Sequence, residues 1–119
     1  MIRVRYRRNE FAHSLLVVGH AGYSDEGKDI VCSGVSAVVY ALLGFLHNSP
    51  DREDRLTASV DSGETMIFWR GTGADITAAF HMALIGLAQI AQKYPDNVSM
   101  EATEPSSRRT ANRGDEKTG

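Results

Sequence analysis

MIRVRYRRNEFAHSLLVVGH, residues 1–20, decides the fold. Ile2, Val4 and Tyr6 alternate with Arg3, Arg5 and Arg7, the two-residue period of a strand with one buried and one wet face. Arg8-Asn9-Glu10 turns the chain. The run from Ala12 to His20 is again rich in β-favouring residues and follows closely enough to close a hairpin. His20 then stands at the far end of the second strand.

Beyond it the period changes. A glycine-bearing loop from Ala21 to Lys28 leads to Asp29, a good N-cap for a helix with Val31, Val35, Val38, Val39, Leu42, Leu43 and Leu46 at spacings of three and four. His47-Asn48-Ser49-Pro50 ends it, and the charged stretch from Asp51 to Arg55 reads as a loop. A second hairpin follows, Leu56 to Asp61 and Glu64 to Arg70. It turns at Asp61-Ser62-Gly63, where glycine supplies the positive φ of a tight turn. Thr72 to Asp75 introduces a second helix with Ile76, Ala79, Phe80, Ala83, Leu84, Leu87, Ile90 and Ala91 on one face; Pro95 stops it, and Val98 to Ala102 supplies a last strand. The order ββα-ββα-β gives an α+β fold: a mostly antiparallel sheet with two helices packed on one face, because each hairpin has one apolar face to cover. One domain is expected over residues 1–103. Residues 104–119, EPSSRRTANRGDEKTG, have alanine as their only apolar residue type, too little to offset ordering entropy, and are expected to be a disordered tail.

Composition narrows the setting. At 119 residues and 42% hydrophobic content the chain can bury a core of its own. Its 13 basic and 15 acidic residues leave a formal charge of −2, so no global positive field recommends nucleic acid as partner. One cysteine excludes an internal disulfide, and Met1 is followed by Ile-Arg-Val-Arg rather than by a leader pattern; the expected setting is the reducing cytoplasm. The apolar stretch from Ile30 to Leu46 is short of the ~20 residues a bilayer span needs, and no membrane role is assigned. The first helix is apolar nearly all round, more than one sheet can cover. A homodimer contact is the simplest sink; the second helix is the other.

The chemistry concentrates between Gly19 and Ser36. A cysteine attacks as a thiolate, a form favoured in the first turn of a helix by free backbone N–H groups and the helix dipole. Cys32 follows the expected N-cap Asp29 by three residues, and the backbone N–H groups of Cys32 and Ser33 are candidate donors to the oxyanion of an attacked carbonyl. His20 is the candidate base and acid, Asp29 a cap or an orienter of His20, and Ser36 shares a helix face with Cys32. Gly22 and Gly27, with Gly19, would let the intervening segment close over an extended peptide. The plainer reading makes Cys32 a core thiol, His20 a strand end and Ser36 a residue bonded to its own helix. Other cysteine chemistries fail on spacing: a phosphatase loop needs arginine where Val38 stands, a redox dithiol needs a second cysteine, and GYSDEGK lacks phosphate-loop spacing. His13, His47 and His81 have no ligand spacing to Cys32, so neither metal nor cofactor is expected.

GHAGYSDEGKDIVCSGVSAV, from Gly19 to Val38, resembles the signature of the ribosomal-processing cysteine proteases of the Prp family in one continuous block, and the element order fits that family over about Ile2 to Ala102. The resemblance implies a homodimeric endopeptidase that removes the N-terminal extension of a large-subunit ribosomal protein lying near the peptidyl transferase centre. It makes His20 and Cys32 the catalytic dyad, with Asp29 and Ser36 as supporting residues, and a loop between them that substrate reshapes. It also implies a preference for an apolar and aromatic stretch before the cut. The competing class is a ribosome-associated binding module, in which the arginine face Arg3, Arg5, Arg7 touches rRNA phosphate and Cys32 only packs.

Overall fold

The computed structural model describes residues 1–19, 26–61 and 63–104, with residues 26–29 described by their backbone alone. The opening hairpin is β1 (Ile2–Arg8) and β2 (Ala12–Val18), antiparallel with Val4 opposite Val17 and Tyr6 opposite Leu15. Its turn is fixed by Asn9, whose Oδ1 accepts the backbone N–H groups of Phe11 (2.7 Å) and Ala12 (2.9 Å), the local bonding that makes asparagine a turn former. The second hairpin is β3 (Leu56–Asp61) and β4 (Glu64–Arg70), and Gly63 takes the positive φ of 83° that its turn requires.

The helices are α1 (Glu26–His47), α2 (Arg52–Arg55) and α3 (Ala74–Lys93), followed by β5 (Val98–Thr103). The sheet order is β3-β4-β2-β1-β5. Every pairing is antiparallel except β5 on β1, which is parallel because α3 carries the chain back across the sheet. The backbone N–H of Ile2 bonds the Asn97 carbonyl at 2.8 Å and sets that register. The α+β architecture with both long helices on one face is the expected one.

The core lies between sheet and helices. Ile2, Val4 and Tyr6 of β1, Leu15 and Val17 of β2, and Ile67 and Trp69 of β4 meet Val31, Val35, Val39, Leu42 and Leu46 of α1 and Ile76, Phe80, Leu84 and Leu87 of α3. Side chains as fully buried as Leu46, Phe80 and Leu87 each contribute about 2 kcal/mol of transfer free energy. By length and composition α1 and α3 are both apolar enough to cross a bilayer, α1 being longer than its apolar stretch suggests. Both nonetheless bury a stripe on the sheet, as core helices do.

Three expectations need correction. The charged stretch read as a loop is the single turn α2, held by tertiary bonds: Arg55 Nη1 donates to the Arg70 carbonyl (2.7 Å) and Arg70 Nη2 to that of Asp54 (2.9 Å). Helix α1 begins at Glu26, so Asp29 lies inside its first turn rather than capping it, and Gly27 is helical rather than part of a loop. One glycine in the helix costs only about 1 kcal/mol against the packing that follows. Glu104, assigned to the tail, is instead held to the sheet and α3: it accepts Arg8 Nη1 at 3.2 Å and contacts His81 Nε2 at 3.4 Å. The expected disordered tail from residue 105 onward lies outside the described residues.

Candidate active site

Cys32 sits on the second turn of α1, half-buried, its thiol free and packed against the edge of the core. Val31 and Val35 on either side of it are pulled into the sheet, which rotates Cys32 and Ser36 toward one end of the molecule. There β1 begins, β2 ends and the β3–β4 turn returns. The result is a pocket of about 220 Å³ with an apolar base of Ile2, Val17 and Val35, and a polar rim of Ser36, Asp61, Glu64 and Thr65. Cys32 opens into it, as does Tyr40, two turns further along the same helix face.

Gly19 closes the pocket from the β2 side. Its φ is 86°, its N–H bonds the Gly63 carbonyl at 2.7 Å, and a Cβ there would run into the Met1 carbonyl. Backbone handedness and close approach both demand glycine. Gly19 is the residue that precedes His20 in the chain. His20 itself and Gly22 lie outside the described residues, as does the side chain of Asp29. The structure therefore brings Cys32 and Ser36 together and sets Gly19 beside them.

The expected oxyanion donors need revision. With α1 starting at Glu26, the backbone N–H groups of Cys32 and Ser33 have helical carbonyls four residues before them, and they are not among the four unpartnered groups of the first turn. Sequence reasoning also passed over Tyr40, Asp61 and Glu64. Tyr40 was legible from its spacing, one further step of four beyond Cys32 and Ser36. Asp61 and Glu64 emerge only from strand register, which sets them directly opposite each other. Two like charges so placed repel, and they give the pocket an acidic lip.

Two other polar groups lie away from Cys32. Arg5 on the outer sheet face is paired with Glu101 at 3.2 Å, which neutralises the middle of the arginine face. At the opposite end of β1, His13 is wholly buried in a directed chain. Thr77 Oγ1 donates to the Thr72 carbonyl (3.4 Å) and so receives Nε2–H of His13 (3.2 Å), leaving Nδ1 to accept the Tyr6 hydroxyl (2.6 Å). Burial, assisted by the positive charge of Arg8 and His81, lowers the His13 pKa to about 4, and burial drives that of Tyr6 well upward. No group of three or more His, Cys, Asp or Glu stands where it could hold a metal ion among the described residues.

Comparison with known proteins adds a family to this geometry. The family model for the cysteine protease Prp matches residues 1–99. The ribosomal processing cysteine protease Prp of Mycoplasma genitalium is 26% identical over 102 residues, 82% of this chain and 92% of its own. That of Mycoplasma pneumoniae is 30% identical over 90 residues, 75% and 86% respectively. The fold recurs in the Prp protease of S. aureus solved with a covalently linked product peptide, with TM-score 0.71 and 23% identity, covering 86% of this chain and 99% of that one. It recurs also in a Streptococcus mutans protein, with TM-score 0.69 and 24% identity, covering 87% and 95%.

Proposed function

The chain belongs to the cysteine protease Prp family, and we propose that within it the protein is the endopeptidase that removes the N-terminal extension of a large-subunit ribosomal protein, working in the cytoplasm as a homodimer. One observation carries the reading: the family match runs through His20 and Cys32, and Cys32 stands in a pocket whose wall, Gly19, is the neighbour of His20. The relatives from both mycoplasmas are ribosomal processing proteases by name, which supports the substrate class.

In this mechanism His20 takes the thiol proton as Cys32 Sγ attacks the peptide carbonyl carbon. The tetrahedral intermediate collapses by breaking the C–N bond, and His20 gives the proton to the departing amine. A thioester remains on Cys32. Water, deprotonated by His20, attacks it; the C–S bond breaks, the amino-terminal fragment leaves with a new carboxylate, and the proton on His20 restores the thiol. Ser36, one helical turn from Cys32, is placed to hydrogen-bond the peptide or the dyad.

The homodimer rests on the outer helix surface. Between α1 and α3, away from the sheet, runs an apolar groove of about 560 Å³ bordered by Val38, Ala41, Phe45, Ala78 and Met82. Met82 is 73% exposed and Phe45 47%. Apolar surface this continuous is what a subunit contact covers. The test of the function is to incubate the protein with the full-length precursor of the ribosomal protein and read intact masses. One cut that leaves the mature amino terminus is the expected result; an unaltered precursor would refute the assignment.

A further inference from the structure

At the end of β4 away from Cys32 a buried donor stands without an acceptor. Trp69 is 2% exposed, and its indole Nε1–H has no hydrogen-bond partner among the described residues. Buried polar groups nearly always find one, in the protein, in ordered water or in a ligand, because an unmade bond forfeits solvation without return. Trp69 lines a pocket of about 300 Å³, at the lower end of the ~300–1,000 Å³ that small-molecule sites occupy. The Cys32 pocket takes Glu64 and Thr65 from the other end of the same strand, and the two pockets share no residue.

The pocket wall keeps that donor open. Gly71 follows β4 with a φ of 136°, a backbone region that favours glycine, and its N–H is held by the Phe11 carbonyl at 2.7 Å. A Cβ on Gly71 would stand 3.3 Å from Trp69 Nε1 and 2.8 Å from Arg55 Nη1, so both donors face the space that a side chain would fill. Arg55 Nη1 donates to the Arg70 carbonyl at 2.7 Å, and the guanidinium has further N–H groups to give. Helix α3 brings its amino terminus to the same pocket. Its N-cap is Gly73, which has no side chain to accept the free N–H groups of the first turn, while Asp75 Oδ1 takes that of Ile76 at 2.8 Å.

Against these donors stand two carboxylates on the rim, Asp51 and Asp75, both exposed. The Asp51 side chain makes no capping bond to α2. A lone anion in the pocket would meet two carboxylates for one guanidinium, and a lone cation would leave the Trp69 N–H unpartnered. A ligand that carries both charges answers both walls. We propose that this pocket binds a small zwitterion of the α-amino acid class, its carboxylate accepting from Trp69 Nε1–H and the Arg55 guanidinium and its ammonium facing Asp51 and Asp75. The amino terminus of α3 adds partial positive charge on the carboxylate side. The site is independent of the proteolytic reading of Cys32.

The chain has one tryptophan, so its fluorescence reads the indole of this pocket alone. The test is to titrate the full chain with the common L-α-amino acids one at a time, and with acetate, ethylammonium and inorganic phosphate, following Trp69 emission and the thermal melt. At least one amino acid should change the emission saturably and raise the melting temperature, as a ligand of the folded state does. Acetate, ethylammonium and phosphate should each bind about tenfold more weakly or not at all. Arg55→Gln should weaken the amino acid about tenfold by removing a charged donor, and Asp51→Asn about threefold. Asp51 is exposed and uncapping, so its variant keeps the fold even if Arg55→Gln loosens α2; the melt without ligand verifies this. No saturable change with any amino acid would mean that water alone satisfies the indole, and overturns the site. Acetate or phosphate binding as tightly as the amino acid, or a signal that neither variant weakens, overturns it as well.

Discussion

Replacing His13 by glutamine should remove much of the acid sensitivity of this fold, and the size of the effect follows from the burial of one ring. His13 is 0% exposed, stacked on Phe80 with ring centroids 4.5 Å apart, and committed at both nitrogens: Nδ1 accepts the Tyr6 hydroxyl and Nε2–H donates to Thr77. Protonating Nδ1 would take away the acceptor of the Tyr6 hydroxyl and bury a charge inside the core. Desolvation is the main reason its pKa falls to about 4; Arg8 and His81 add to the shift and Glu104 opposes it. In the unfolded chain the same ring titrates near 6.5. Between those values the unfolded state binds the proton and the folded state does not, so stability falls as pH drops from about 6.5 to about 4 and levels below. The whole shift corresponds to about 3 kcal/mol at ~1.4 kcal/mol per unit. Urea unfolding at pH 7.5 and 4.5 measures it in wild type and His13→Gln, and surface carboxylates titrate equally in both. Wild type should lose most of that amount beyond what the variant loses. Parallel losses in the two proteins would refute the neutral, directed chain from Tyr6 to Thr72.

Three further outcomes follow from the same structure. Gly19→Ala forces a side chain into the left-handed region and against the Met1 carbonyl; it should cost about 1–2 kcal/mol from the backbone alone and slow cleavage, and an unchanged melt with full activity would contradict it. Met82→Glu puts a charge on the groove between α1 and α3 and, for the proposed homodimer, should shift light scattering from dimer to monomer, whereas a mass that the substitution leaves unaltered would contradict a subunit contact there. Ser36→Ala should keep the fold and lower kcat/KM by up to about tenfold for one lost hydrogen bond; undiminished kcat/KM would leave Ser36 a purely helical role.

What the sequence disclosed and what it hid divide along physical lines. Strands and helices with one wet face announce themselves by period, and Ile2, Val4, Tyr6, Val31, Val35, Val39 and Phe80 all lie where alternation or helical spacing puts them. Features fixed by distant partners did not. The turn α2 depends on Arg70 reaching back to Asp54, and the position of β5 depends on a bond between Asn97 and Ile2. The start of α1 was misplaced because Gly27 reads as a loop residue, while the packing of the helix carries it through. The site divides likewise. Cys32 and Ser36 share a helix face as their spacing says, while His20 and the side chain of Asp29 lie outside the described residues. Asp61 and Glu64 reach the pocket only through hairpin register.

The most direct test of the account is the cleavage of the extension-junction peptide, followed by mass, with wild type beside Cys32→Ala and His20→Ala. The account predicts a single cut by wild type, no cut by Cys32→Ala, loss of the cut in His20→Ala, and alkylation of folded wild type by iodoacetamide at Cys32. Cleavage that persists in Cys32→Ala, or a thiol that iodoacetamide reaches only after unfolding, would contradict it.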